Sequence, residues 1–556
     1  MGSASMKLKT LFLVVTLIFT FIAPAVFAGV NLKNGNFYIT YTDLVVPHGD
    51  KSLKIERTYN SKSTEVGIFG FGWGSDFETY LVEQSDGSIV VYENGAGGRT
   101  IFSPIRGGDI ERSVSDSLDN LISEMRDFGE FATETEALAL KKKLMGNEEV
   151  RTAYFQKYRN LSGLKSRKNS IVKWTSGDRG IQTVERNKVG YIRRYANGNS
   201  EFYDKEGKLV RAESTDGYFI VCHYDNEKRL TRISDSNGST IRLLYKNNRT
   251  KFVHQIVSDR QIVSYRHKGK DLVGSADTTG NEYEFRYDNN HNLTSVDYTD
   301  GSEMKLDYEP KTQFISKVTK RNGSSTSYKY ESDPKNPNYH YWTTVTKNDW
   351  EGNPVSNRYE YWIDRKSGGY QYTSKILTRI NGVKTVTEYN KNSLPLSIVR
   401  GKEQTNFEHD QAGLLLLKKE SSSGEFVKYE YHPVHKKKSK VTNNQGTTTF
   451  DYDSKGNLAF ANKGKEDQLE LRYNWKNQIT EMIVTDKYRL TIKYNALGKR
   501  TKITMEGEGS IDIKYDRYGE IENVESEAGY EMQLKVTQAF RTLSAKVKPA
   551  GVNLSL

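Results

Sequence analysis

One cysteine, Cys222, and ten prolines are all that 556 residues contain of these types. The single thiol excludes an intramolecular disulfide, so stability has to come from packing and backbone pairing. In FIVCHYD (219–225) strand alternation groups Cys222 with Ile220 and Tyr224 and turns His223 the other way, which makes Cys222 a small core residue rather than a nucleophile. The motifs G-x-S-x-G, H-E-x-x-H and C-x-x-C are missing, so hydrolase-elbow, zincin and dithiol-redox chemistry lack their signatures. Hydrophobic residues are few, at 35%, and the one long apolar run, LFLVVTLIFTFIAPAVFA at 11–28, lies at the start. Preceded by Lys7 and Lys9 and closed by Ala28, it has the build of a secretory signal peptide over 1–28, with Met6 as the natural start. No cysteine follows the cleavage site, which argues against a lipoprotein. An exported chain follows: periplasmic, surface-held or secreted, and not integral to the membrane once the leader is gone.

What is abundant is tyrosine, 36 residues, and glycine, 45. Tyrosine suits half-buried pleated surfaces and glycine suits tight turns, so a chain rich in hairpins is expected. Lys and Arg outnumber Asp and Glu by 82 to 70, a net charge of +12, or +10 without Lys7 and Lys9. Such a balance favours anionic surfaces. For an exported protein that points to a cell-envelope glycan or lipid headgroups, with no nucleic acid expected.

The tyrosines recur. Tyr203, Tyr224, Tyr245, Tyr265, Tyr287, Tyr308 and Tyr330 form one series; Tyr389, His409, Tyr431, Tyr452, Tyr473, Tyr494 and Tyr515 form a second, every step being 20 to 22 residues. A fixed period of that size marks a repeat architecture. In IDIKYD (511–516) Ile511, Ile513 and Tyr515 share one face and Asp512, Lys514 and Asp516 the other. A unit of two short strands cannot bury that face alone, so units must join edge to edge into a wide sheet, and a twisted sheet that wide has to curl. The expected fold is mainly β: a spiral sheet wound into a barrel-like shell with room for a hollow interior. Tyr203, Tyr224, Tyr287, Tyr452, Tyr473, Tyr494 and Tyr515 are its structural anchors.

The unit Y-D-x-x-G-x-L, present as YDKEGKL (203–209) and YDSKGNL (452–458), resembles the YD repeat of Rhs proteins. Upstream, GNFYITYTDLVVPHGDKSLKIERTYNS (35–61) and GIFGFGWGSDFETYL (67–81) resemble the N-terminal domain that precedes the repeats in that family. The resemblance implies a β-strand cocoon closed at one end by the N-terminal domain, which in toxin members encloses a C-terminal effector. Taken with the residue reading, it divides the chain into a leader (1–28), an N-terminal cap (29–106), a helical insertion (107–170), the YD-repeat shell (171–529) and a closing segment (530–556). The glycines of GIFGFGWG permit tight turns that Phe69, Phe71 and Trp73 anchor, a structural cap rather than a phosphate loop.

The chain departs from the toxin members twice. Neither the segment that closes the family's core nor its self-cleavage region is evident, and no room remains for a separate toxin domain. In addition, Val114, Leu118, Leu121, Ile122, Met125 and Phe128 stand at helical spacing inside 109–165, and Val150, Tyr154, Phe155, Tyr158 and Leu161 form a second stripe. Two readings of this insertion stay open: its apolar faces pack on the cap or shell, or it plugs the cavity.

Candidate chemistry is sparse. Asp204, Asp225, Asp288, Asp453 and Asp516 follow repeat tyrosines; turn-starting residues explain them better than carboxylate pairs or calcium ligands. No metal or cofactor is expected. Trp342, Trp350, Tyr361, Trp362 and Tyr370 cluster in the irregular stretch and could stack sugar rings, although cross-strand packing is the commoner role of such residues. HPVHKKKSK (432–440) adds Lys436, Lys437 and Lys438 as an anionic-surface contact. The leading expectation is an exported, non-enzymatic shell that binds at the envelope. A container for its own helices or a separately encoded polypeptide comes second. A glycan-active enzyme comes third and requires carboxylates about 5–10 Å apart across a cleft.

Overall fold

A computed structural model describes residues 27–157 and 173–551, apart from internal stretches of five residues or fewer. Residues 1–26 of the leader, Phe128, Tyr158 and Leu161 lie outside the described residues. No helix among the described residues is long and apolar enough to cross a membrane.

Strands β1 (Phe27–Asn31), β2 (Asn36–His48) and β3 (Lys51–Asn60) pair antiparallel and are joined by Trp73–Gly74. The long sheet begins directly afterwards, with strands Tyr80–Glu83, Ile89–Glu93 and Gly98–Pro104. It continues across the helical insertion, because Gly98–Pro104 pairs with Lys173–Ser176. From there each strand pairs with the next as far as Ile521–Ser526. The architecture is therefore mainly β, one long antiparallel ribbon with a few helices. The first three ribbon strands come from the stretch read as cap, and the insertion loops out between two adjacent strands.

Each hairpin has the same internal logic. A bulge falls at the repeat tyrosine, as between His223 and Tyr224 or Arg472 and Tyr473. The residue after it turns the chain: Oδ1 of Asp204, Asp225, Asp288 and Asp453 accepts the backbone N–H four residues on, at 2.8 to 2.9 Å. Asn390, Asn474 and Asn495 accept the same bond, so a short acceptor serves there without a charge. In many hairpins the residue four after the tyrosine is left-handed, for example Gly207 (φ 84°), His291 (φ 64°) and Asn477 (φ 59°).

The tyrosine ties one hairpin to the one before it. The phenols of Tyr224, Tyr245, Tyr287, Tyr308 and Tyr330 donate to the carbonyls of Leu209, Leu230, Leu272, Leu293 and Ile315 at 2.7 to 3.0 Å. Tyr431, Tyr452, Tyr473, Tyr494 and Tyr515 do the same to Leu415, Lys438, Leu458, Ile479 and Arg500 at 2.6 to 2.9 Å. A half-buried ring with one polar tip explains why the repeat keeps tyrosine where phenylalanine would pack equally well.

The inner face of the ribbon is covered differently along its length. Its first half packs on the N-terminal unit, whose Phe37, Ile39, Leu53, Tyr59 and Trp73 join ribbon residues in one core. That unit also follows the repeat: Val253 N–H donates to Ile68 O, Phe71 N–H to Lys270 O, Leu293 N–H to the Tyr59 hydroxyl and Ile315 N–H to Gly35 O. The last hairpins pack on a C-terminal α-helix instead. Met532, Val536, Phe540, Leu543 and Val547 form a stripe buried against Leu469, Met482, Leu490 and Ile503. Between these two cores, residues 378–440 include none that is buried.

The helices in order are α1 (Ile110–Asp127), α2 (Glu134–Met145), α3 (Glu148–Lys157) and α4 (Gly529–Val547). In the insertion Val114, Leu118, Leu121, Ile122 and Met125 of α1 bury against Ala137, Leu144 and Phe155 of α2 and α3. The apolar faces thus meet one another and form a core of their own. Helix α1 also meets the ribbon strand Gly98–Pro104, and at the end of α2 Arg365 Nη1 donates to Gly146 O at 2.6 Å.

The ribbon coils back on itself through turns. Tyr80 bridges Lys208, and Leu81 N–H donates to Gly207 O at 2.7 Å. Farther along, a Cβ at Gly198 would meet Thr215 and Lys436, and one at Gly456 would meet His435 and the Thr215 carbonyl. Turns more than 200 residues apart in sequence therefore touch along one rim.

Candidate functional site

Strand parity divides the aromatic stretch. Tyr341 and Tyr361 lie opposite each other on one face, ring centroids 5.5 Å apart, with Tyr361 7% exposed and the Lys33 ammonium over its ring. Trp342 and Trp362 stand on the other face. Trp350 and Tyr370 lie outside the described residues. The five residues therefore do not form one platform.

The tryptophan face is already supplied with cations. Arg358 lies 4.4 Å from the Trp342 ring centroid, and Lys375 lies 4.1 Å from that of Trp362. His340 stacks on Trp362 from the neighbouring strand at 4.6 Å and shares a 2.7 Å contact with Glu360. Glu360 also draws in Arg358 and Arg379, at 3.4 and 3.8 Å. Cation–π and ion-pair contacts of this kind hold three strands together on their outer side. A sugar ring stacking on either indole would compete with a cation of the chain itself for one face of the ring.

The lysine-rich turn is half seam and half surface. His432 and His435 stack at 4.8 Å, and His432 Nδ1 accepts the N–H groups of Val434 and His435 at 3.3 and 3.1 Å. Lys437 Nζ donates to Gly456 O at 2.7 Å. Lys438 lies over the Tyr429 ring at 4.9 Å, and burial lowers its pKa. Lys436, left-handed at φ 52°, sits against the Gly198 turn. The three lysines thus contribute to structure, with no shared ligand geometry.

The most constrained polar constellation joins the N-terminal unit to the ribbon. Arg57 is fully buried and donates through Nε and Nη2 to Asp43 at 2.8 and 3.1 Å, and through Nη2 to Ser275 at 3.1 Å. The Tyr265 phenol donates to Asp43 at 2.6 Å instead of to a ribbon carbonyl. The guanidinium lies 4.4 to 5.6 Å from the rings of Trp73, Tyr41, Phe285 and Tyr265. Burial alone would lower its pKa, but the paired carboxylate raises it, so the cation persists.

Glu78 holds the GIFGFGWGS loop in shape. Its Oε1 accepts from Ile68 N–H at 2.7 Å and its Oε2 from Ser75 N–H at 3.1 Å. Burial pushes its pKa up to about 7, against the downward pull of those two bonds. Neither constellation faces an open cleft, and both serve to anchor.

What stays open is the inner face between residues 378 and 440. Alternation places Thr387, Tyr389, Phe407 and His409 there, all half-buried, whereas Tyr429 farther on already packs against the core of the C-terminal helix. Among the described residues no group of three or more His, Cys, Asp or Glu is placed to hold a metal ion.

Residues 28–102 match the model of a domain of unknown function, DUF6531, nearly the stretch read from sequence as the cap. No curated protein matches the chain. Among solved structures, the Tc holotoxin pore of Photorhabdus luminescens is similar at 11% identity and a TM-score of 0.36, over 88% of this chain and 29% of that one. The TcdB2-TccC3-TEV crystal structure is similar at 12% identity and a TM-score of 0.35, over 96% of this chain and 29% of that one. The chain spans under a third of the length of either.

Proposed function

We propose that this chain is an exported, non-enzymatic shell of the Rhs type that acts by binding at the cell envelope or surface. The observation that carries the proposal is the ribbon itself: two ends filled from inside by the chain's own termini, and a half-buried inner face left between them at 378–440. The polar constellations with the shortest contacts bind the protein to itself, which favours a scaffold over a catalyst. A charge of +10 after residue 28 supports approach to an anionic glycan or headgroup surface. The Trp342 and Trp362 rings, each already stacked with a cation of the chain, are second choice as contacts; the open face and the Lys436 turn come first.

Co-sedimentation of residues 29–556 with intact cells, stripped sacculi and anionic vesicles across a salt series tests this reading. Retention on one surface at high salt is expected. Loss from all three by moderate salt would reduce the attraction to unspecific charge.

A second reading draws on the same open face: a container whose uncovered stretch receives a separately encoded polypeptide. Native mass measurement of the protein purified from its source would then show a second chain, and a bare mass in every preparation would exclude it.

A further inference from the structure

In the covered first half Tyr203 and Tyr265 replace the tyrosine-to-carbonyl tie with bonds to Glu201 and Asp43. At Tyr389 and position 409 the tie is lost with no such anchor to the N-terminal unit among the described residues. Tyr330 reaches Ile315, and Tyr431 reaches Leu415, at 3.0 and 2.7 Å. In the second series the two hairpins before Tyr431 have no such tie. At Tyr389 the phenol lies beside Thr387 of its own strand instead of on a turn carbonyl. The preceding hairpin has its bulge at Trp362/Ile363, with Ile363 rather than a tyrosine at the bulge, and pairs Ile363 with Thr373. At position 409 the residue is histidine, whose shorter side chain makes no bond to the carbonyl of Pro395, the residue paired with Tyr389.

A second and independent feature coincides with this gap. Residues 378–440 contain no buried side chain, whereas the hairpins on either side each place residues such as Leu293, Val296 and Leu306, or Leu469, Leu471 and Met482, at 5% exposure or less. The flanks are also clamped, the first by the N-terminal unit and the second by α4. Across the gap the strand ladder remains from Val383 to Glu420, with the repeat's bulges at Tyr389 and His409, but it works alone. A stretch with few buried contacts, lying between two well-packed bodies, is where sub-global opening concentrates.

We infer that the hairpins spanning Val383–Glu420 are a built-in opening point, at which the ribbon parts reversibly while the two covered ends move as rigid bodies. Opening there widens the seam and exposes the inner face, whatever the shell binds. The inference does not rest on the proposed function, because it concerns the free chain.

Hydrogen exchange on the full mature chain, read by mass spectrometry, is the test. Amides within 383–415 are expected to exchange at least tenfold faster than those within 282–319 and 468–505. His409→Tyr supplies the missing phenol opposite Pro395 and is expected to slow exchange in 395–409 severalfold while leaving both flanks unchanged. Tyr473→Phe, which removes a tie from a covered hairpin, is expected to speed exchange at 458–473 about fivefold, the equivalent of one hydrogen bond. Protection in 383–415 equal to that of the flanks would overturn the inference, as would a Tyr473→Phe effect spread evenly over the sheet. Should His409→Tyr fail to fold, the wild-type comparison and Tyr473→Phe still decide the matter.

Discussion

Replacing Arg57 with leucine removes a buried cation that ties the N-terminal unit to the ribbon. Asp43, 4% exposed at its side chain, would keep only the 2.6 Å bond from Tyr265. Breaking a buried ion pair by deleting one partner costs about 3–5 kcal/mol, mostly as the penalty of a bare buried charge. The four ring contacts of the guanidinium overlap with that figure and are not added to it. With a urea dependence of about 2 kcal/mol per molar, the expected midpoint shift is about 2 M. It should appear in the step that exposes Trp73, which lies 4.4 Å from the guanidinium and is 2% exposed. Urea unfolding followed by tryptophan fluorescence is the assay. Adding Asp43→Leu to Arg57→Leu removes the bare charge and should recover at least half of the loss. A shift below about 0.5 M for the single variant, or a double variant as poor as the sum of its parts, would refute the reasoning.

Three further outcomes follow from the same geometry. Glu78 titrates near 7 in the folded chain against about 4.5 unfolded, so the folded state binds the proton more tightly and stability is lost as pH rises from about 4.5 through 7. The span is worth about 3 kcal/mol, and Glu78→Gln should flatten it in pH-dependent melts. Gly207→Ala would place a Cβ 1.9 Å from the Leu81 carbonyl at φ 84°, whereas Gly217→Ala meets nothing at a similar φ of 81°. Both should lose about 1–3 kcal/mol to backbone strain, with Gly207→Ala melting well below Gly217→Ala because its clash adds to that. On the proposal that the chain is exported, cleavage of the leader after Ala28 would cut inside β1 and leave Gly29, paired with Tyr38, as the first residue. The intact mass of exported protein should therefore begin at Gly29.

The repeat was legible in sequence because its two periods are independent. Alternation within IDIKYD put the tyrosine on the inner face, and the spacing of about 21 residues put it in every hairpin. The role of Asp as a turn acceptor was legible too, since Asn390 and Asn474 replace it without a charge. Helix α4 was missed, although Met532, Val536, Phe540, Leu543 and Val547 stand at helical spacing in a segment left without assigned structure. The aromatic stretch misled because nearness in sequence is not nearness in a strand: Tyr361 and Trp362 are adjacent, and for that reason face opposite ways. Arg57, Asp43 and Tyr265 could not be joined from sequence, since the last two stand 222 positions apart. Nor could alternation reveal which inner faces are covered, because covered and open hairpins share one pattern.

The claim on which the account turns is that the ribbon winds into a shell whose distant turns meet. Thr215 and Lys436 both touch the Gly198 turn, so cysteines at these two positions, with Cys222→Ala, should be joined by a short bis-maleimide within one monomer. The account predicts a linked pair of tryptic peptides carrying 215 and 436 in most of the monomeric protein. Efficient labelling of each cysteine alone, with no link between them, would mean that the ribbon does not close on itself.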